Sequence, residues 1–208
     1  MTPDNDAQVF TSLTFFNEVE ARTIEAIAAR IFPGDPTDPG AREAGVVDYI
    51  DRSLAGFLKD LQTFYRRALQ ELDDYARERH GAAFSELTEE DQDRTLSALD
   101  SSIETESREY GADSPRGQSG GEEVEEMSDL LTRFFSIVRE HVLQGMFCDP
   151  AYGGNRDVVG WRLLGFPGAQ WGYSADQMKP RVDATEIPVL TLGDLRRRHR
   201  DNGTGGTG

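Results

Sequence analysis

The sequence has one cysteine, Cys148, in 208 residues. No disulfide can form within the chain, and no cysteine pair is there to hold zinc. It has three histidines, His80, His141 and His199, and none has a glutamate three residues before it. The Glu-x-x-His pattern of di-iron bundles is therefore absent, and so is His-Glu-x-x-His. No apolar run approaches the ~18 residues of a membrane span. Positive charge is also scarce: 22 Lys and Arg stand against 38 Asp and Glu, a net charge of -16. Such a chain repels phosphate, which argues against non-specific nucleic-acid binding and against adsorption to an anionic membrane. Met1 to Gln8 is polar and acidic, without the charged-then-apolar layout of a signal peptide and without paired arginines. The expected compartment is the cytoplasm, unless an exported partner carries the chain to the periplasm or beyond.

What is present is helical periodicity. Apolar residues at Phe16, Val19, Ile24, Ile27, Ala28 and Ile31 mark one face of a helix over 13–32, with Thr14 as N-cap. Pro33-Gly34 ends it, and the loop to Gly40 holds three prolines. A second helix is expected from Ala41 to Leu54, and a third from Leu58 to His80 with Gly81 as its cap. Thr88 followed by Glu89, Glu90 and Asp91 starts a fourth. Residues 105–121 lose the pattern and read as a mobile loop. A fifth helix is expected over Glu122–Gln144, with Leu130, Leu131, Phe134, Phe135, Val138 and Val142 inward. The fold class predicted is all-α: a single-domain bundle of about five helices with an irregular, glycine- and aromatic-rich C-terminal segment packed on it. Residues 1–12 read as a flexible N-terminus, 13–192 as the domain, and 193–208 as a basic, glycine-rich tail.

Catalytic strings fail on context. Gly117-Gln118-Ser119-Gly120-Gly121 has the letters of a nucleophile elbow but a polar stretch where a strand is required. The glycines from Gly203 onward spell a dinucleotide fingerprint with no helix after it. The acidic run at Glu122, Glu123, Glu125 and Glu126 reads as a solvated helix face. Asp149, Asn155 and Asp157 could surround a calcium ion, but their spacing matches no standard loop. Cys148 has no evident base and reads as a small buried hydrophobe. Arg196, Arg197, Arg198 and Arg200 read as a solvated helix end that suits the dipole, with docking against an acidic surface as the lesser reading.

The segment Gly145–Gly168 is different. Asp149-Pro150 and Gly154-Asn155 are turn-formers. Tyr152, Trp161 and Phe166 offer large rigid contact area, and with Arg156 and Arg162 they are the residue types that dominate interface hot spots. Two compatible readings stand side by side. The segment completes the core of the bundle, or it is a partner interface carried by Asp149, Tyr152, Gly153, Gly154, Asn155, Arg156, Trp161 and Phe166. In the second, Tyr152 and Trp161 are anchors while Asp149 and Asn155 fix the loop.

The chain resembles a known family in these same residues. Glu20 through Pro33, Ala44-Gly45-Val46 and Tyr49-Ile50-Asp51 carry the N-terminal part. His141, Gly145, Phe147, Asp149-Pro150, Tyr152-Gly153-Gly154-Asn155, Asp157, Gly160-Trp161, Gly165 and Pro167-Gly168 carry the more specific C-terminal part. The likeness spans about residues 14–170. It is to the small subunit, called subunit 3 or gamma, of gluconate 2-dehydrogenase and related FAD-dependent sugar dehydrogenases. The resemblance implies a helical, non-catalytic chain with no cofactor of its own. Its partner would be a large FAD subunit of the glucose-methanol-choline oxidoreductase type, in some complexes with a cytochrome c subunit. It implies a role in the folding, stability, maturation or export of that partner. Many members carry a twin-arginine signal, which this N-terminus lacks. The residues agree in what is missing, since no strand–glycine–helix unit for a dinucleotide is found. Two other readings remain open: a stand-alone metal-dependent enzyme using the carboxylates of 149–157, and a free-standing binding module.

Overall fold

A computed structural model describes residues 12–111 and 128–203. Seven α-helices and several 3-10 turns make up the described residues, and no strand occurs among them. α1 spans Glu18–Ile31, α2 Val46–Ala55, α3 Gln62–His80, α4 Glu89–Gly111, α5 Asp129–Phe147, α6 Val159–Leu163 and α7 Leu192–Gly203. The all-α expectation holds.

α5 is the central element: α1, α2, α3, α4 and α6 all pack against it. Phe134, Val138, Val142 and Met146 supply its inward stripe at helical spacing. Tyr65 and Phe134 meet edge to face, with ring centroids 5.3 Å apart. Ile24, Ile27, Ile50, Leu54, Leu72, Phe84 and Leu99 close the same core from the other helices. The Tyr65 hydroxyl bonds His141 Nδ1 at 2.6 Å, and the two rings stack. Burial holds the Tyr65 phenol well above its ordinary range and the His141 imidazole below its own. The phenol therefore keeps its proton and the histidine is neutral, so the bond joins two uncharged groups.

The helix boundaries differ from expectation for local reasons. Asn17, not Thr14, caps α1, in a reciprocal capping box with Glu20. Residues 14–16 stay outside the helix, with a bend at Thr14 and Phe15, because their amides are held elsewhere. Thr14, Phe15 and Phe16 N–H groups donate to the buried Asp51 carboxylate at 2.7, 2.9 and 2.8 Å. α2 starts at Val46 rather than Ala41, after Gly45 in the left-handed region. α3 starts at Gln62, after a 3-10 turn over Lys59–Leu61, and Gly81 closes it as expected. Thr88 Oγ1 accepts the Asp91 amide at the start of α4.

α4 continues through Gly111, so residues 105–111 of the expected loop are helical; polarity alone does not end a helix that is already propagating. The rest of that loop and the elbow string lie outside the described residues, as do residues 1–11 and the last five of the tail. α5 begins at Asp129 with Ser128 as its cap and runs through Gly145 to Phe147, while residues 122–127 of the expected helix, with the acidic run, lie outside the described residues. A side chain at Gly145 would crowd Val46 and Tyr49, so this glycine marks a close helix crossing and not a helix end. Residues 193–203, read as part of a tail, belong to α7, which starts at Leu192.

Candidate partner interface

The segment after α5 is shaped from within. Asp149 Oδ1 accepts the Ala151 amide and starts the 3-10 turn Pro150–Tyr152. Its Oδ2 accepts the Leu192 amide at 2.7 Å, which ties the start of α7 to this turn. Asn155 is 0% exposed. Its carboxamide donates to the Cys148 carbonyl at 2.8 Å and accepts the Gly160 amide at 2.8 Å, while its own amide donates to the Gly145 carbonyl. Every polar group of this side chain is thus used to lace the segment onto α5. Asn155 takes φ 45°, and Asp157 and Val158 follow at 54° and 55°. Left-handed backbone at a β-branched valine is strained, and the Asn155 bonds hold it.

Two glycines make this lacing possible. A Cβ at Gly154 would stand 2.2 Å from the Gly145 carbonyl oxygen, and one at Gly160 2.0 Å from that of Met146. Neither oxygen can retreat, because both belong to the backbone of α5. Trp161 then closes over the end of α5. It is 5% exposed, its indole N–H donates to the Phe147 carbonyl at 2.8 Å, and its ring meets Phe166 edge to face. Gly168 lies against that indole and makes an isolated bridge with Leu190.

The residues singled out from sequence therefore divide. Asp149, Asn155 and Trp161 point inward, and Gly153 and Gly154 sit under close backbone or side-chain approach. For Asp149 and Asn155 this is the loop-fixing role expected. For Trp161 it is not the anchor geometry expected: its ring is enclosed because α5 offers it an acceptor at Phe147, so the core-completing reading applies to it. Tyr152, Phe166 and Arg156 lie on the surface. Arg156 pairs with Asp48 at 2.7 Å and its amide donates to the Ala44 carbonyl. Tyr152 is 55% exposed.

Tyr152 shares a groove with Phe57, which is 70% exposed and follows the helix-ending Gly56. Phe57 and Tyr152, with Tyr49, Gln144, Phe147 and Cys148, line an open groove of about 460 Å³. The Tyr49 hydroxyl donates to Gln144 Oε1 at 2.9 Å inside it. Cys148 is half-buried rather than buried, and burial pushes its thiol up, which favours the protonated form. Sequence reasoning did not single out Phe57. The available signal was an aromatic just past a helix-ending glycine: Phe57 keeps the spacing of the α2 stripe, but the helix that would turn it inward has already ended.

The 149–157 carboxylates do not gather. Both Asp149 oxygens and the Asn155 oxygen serve backbone donors, as above. Among the described residues no group of three His, Cys, Asp or Glu is disposed to hold a metal. The metal-enzyme reading loses its ligand set on that geometry.

The sequence model of the family described as gluconate 2-dehydrogenase subunit 3 matches residues 18–168. The chain belongs to that family. As a subunit 3, it is part of a dehydrogenase complex and associates with other subunits of it. The match begins at the first residue of α1 and ends at Gly168, where the bridge to Leu190 forms. The groove and the laced segment of subunit 3 lie inside the matched region, while α7 lies beyond it. No curated protein and no solved structure matches the chain significantly.

Proposed function

We propose that this subunit 3 is a non-catalytic accessory chain that binds the large FAD-dependent, glucose-methanol-choline type subunit of a sugar or gluconate dehydrogenase. It keeps that partner folded and helps it mature. The supporting observation is that two exposed aromatics, Phe57 and Tyr152, line one apolar groove, Tyr152 on a segment whose shape is fixed from inside. Aromatic side chains in a rigid frame bind with little loss of conformational freedom. A large subunit that inserts an apolar side chain between Phe57 and Tyr152 would desolvate both rings.

The mechanism is mass action. A chain that binds the native flavoprotein and not its unfolded form stabilises it by about 2.7 kcal/mol at a free concentration of ~100 Kd. FAD belongs to the partner and no step of the chemistry falls to this chain. The test is co-expression with the large flavoprotein subunits of the same source, then affinity capture and an absorbance spectrum. A co-purifying large chain with a flavin spectrum, lost on Phe57→Ser with Tyr152→Ser, supports the reading. A small chain that folds but captures no flavoprotein overturns it.

A further inference from the structure

α7 and the chain leading into it lie outside the family-matched region and carry a second surface of opposite character. Trp171 is 76% exposed, the highest of the large apolar side chains among the described residues. It forms one wall of a groove of about 450 Å³ whose other lining residues are Leu192, Leu195, Arg196, His199 and Arg200. The floor is apolar and Leu195 is buried in it. The rim is cationic. Residues 196–200 are Arg-Arg-Arg-His-Arg, in a chain whose net charge is -16. Arg197 is turned to Asp194 at 2.6 Å, but Arg196 and His199 face the groove.

We infer that this groove is a second docking site, for an acidic, apolar-tipped segment of another subunit of the complex. The inference rests on the accessory reading only for the identity of the partner. Charge complementarity selects the occupant. A cationic rim around an apolar floor accepts a peptide that alternates acids with a large apolar side chain, the latter stacking on Trp171 and the acids meeting Arg196, His199 and Arg200. An anionic bilayer is a poorer match. The rest of the molecule carries a strong negative charge that a membrane surface repels, and the site is concave where a bilayer needs a protruding face. The groove is also held in a fixed place. The Leu192 amide is bound by Asp149 and Leu190 is bridged to Gly168, so α7 is anchored on the domain at its first residue.

The experiment uses the full chain and two probes: a synthetic peptide alternating Glu and Leu, and vesicles of phosphatidylcholine with phosphatidylserine. Calorimetric titration reads binding of both probes to the parent and to each variant, and in the parent the emission of the exposed Trp171, over that of the enclosed Trp161, gives a second readout. The peptide is expected to shift Trp171 emission to the blue, and added salt to weaken that binding, because exposed charges are screened within about 8 Å at physiological ionic strength. Arg196→Glu with Arg200→Glu should weaken peptide binding about tenfold or more, since opposed charges become like charges at the rim. Trp171→Ala should weaken it without changing the helical circular dichroism, because the ring is solvent-exposed. The same variants are then assayed in the co-expressed complex, where a faster dissociation of the large subunit is expected. No peptide response, or a response to vesicles alone, overturns the inference. Peptide binding with complexes of unchanged lifetime overturns the assignment to a partner subunit while leaving the accessory function standing. If no flavoprotein is captured at all, the accessory function fails and the peptide titration still decides the groove.

Discussion

Trp161→Ala separates a core role from an interface role at the residue where sequence left both open. The ring is almost wholly enclosed, it donates to the Phe147 carbonyl, and it supports Phe166 and the backbone at Gly168. Truncating a buried tryptophan to alanine costs about 3–5 kcal/mol from lost transfer energy and the cavity left behind. Leaving the Phe147 carbonyl without its donor is part of that cost, about 1–3 kcal/mol if no water replaces it. Native domains have about 5–15 kcal/mol in total, so the variant should lie near the edge of folding. Urea denaturation followed by circular dichroism reads the loss directly. Trp161→Phe keeps most of the ring and loses the N–H, and should fall between the two. By contrast Tyr152→Ala, with its ring mostly in solvent, should shift the midpoint little and weaken capture of the large subunit by about 2 kcal/mol or more if it is a hot spot. A Trp161→Ala chain as stable as the parent would refute the assignment of this ring to the core.

Gly154→Ala and Gly160→Ala should each destabilise by at least the ~1–3 kcal/mol typical of overpacking, since the obstructing atoms are backbone carbonyls; thermal unfolding midpoints check this. Asp51→Ala removes the acceptor for three amides of residues 14–16, at about 1–3 kcal/mol per buried group left unpaired, and should release that segment to rapid hydrogen exchange. His141 is neutral in the folded chain with its pKa lowered by burial, so the unfolded chain binds the extra proton first. Its contribution is therefore fully present above the unfolded pKa of about 6.5 and is lost as pH falls below it. Stability measured from pH 7.5 down to 5.5 should fall in the parent and fall less in His141→Gln, and equal slopes would count against the assignment. Glu25, whose pKa burial raises, acts in the opposite sense at lower pH, since its folded form holds the proton more tightly.

The helical core was legible because it is written in spacing. Phe134, Val138 and Val142 repeat every four residues, and a packed stripe follows from that alone. Boundaries were less legible where a distant side chain decides them. Nothing near Thr14 announces that its amide belongs to Asp51, 37 residues away. The candidate interface was legible by composition and not by direction. Tyr152 and Trp161 look alike as large aromatics between glycines, yet one faces solvent and the other the end of α5. What separates them is an acceptor at Phe147 and a flat approach at Gly168, which only the folded chain brings together. Phe57 was the least legible of all, since its spacing continues the buried stripe of α2 while Gly56 ends the helix before it and leaves the ring in solvent.

The carboxylate of Asp149 has a timing consequence. One oxygen finds its donor two residues on, at Ala151, and the other 43 residues on, at Leu192. A ribosome adding about 5–20 residues per second needs a few seconds to cover that gap. During those seconds the glycine-rich segment exists with its last tether unmade and the end of α5 incompletely covered. The newborn chain is then at its stickiest, before α7 has emerged to fasten it, and a dehydrogenase subunit synthesised nearby would meet an unfinished surface rather than a finished one.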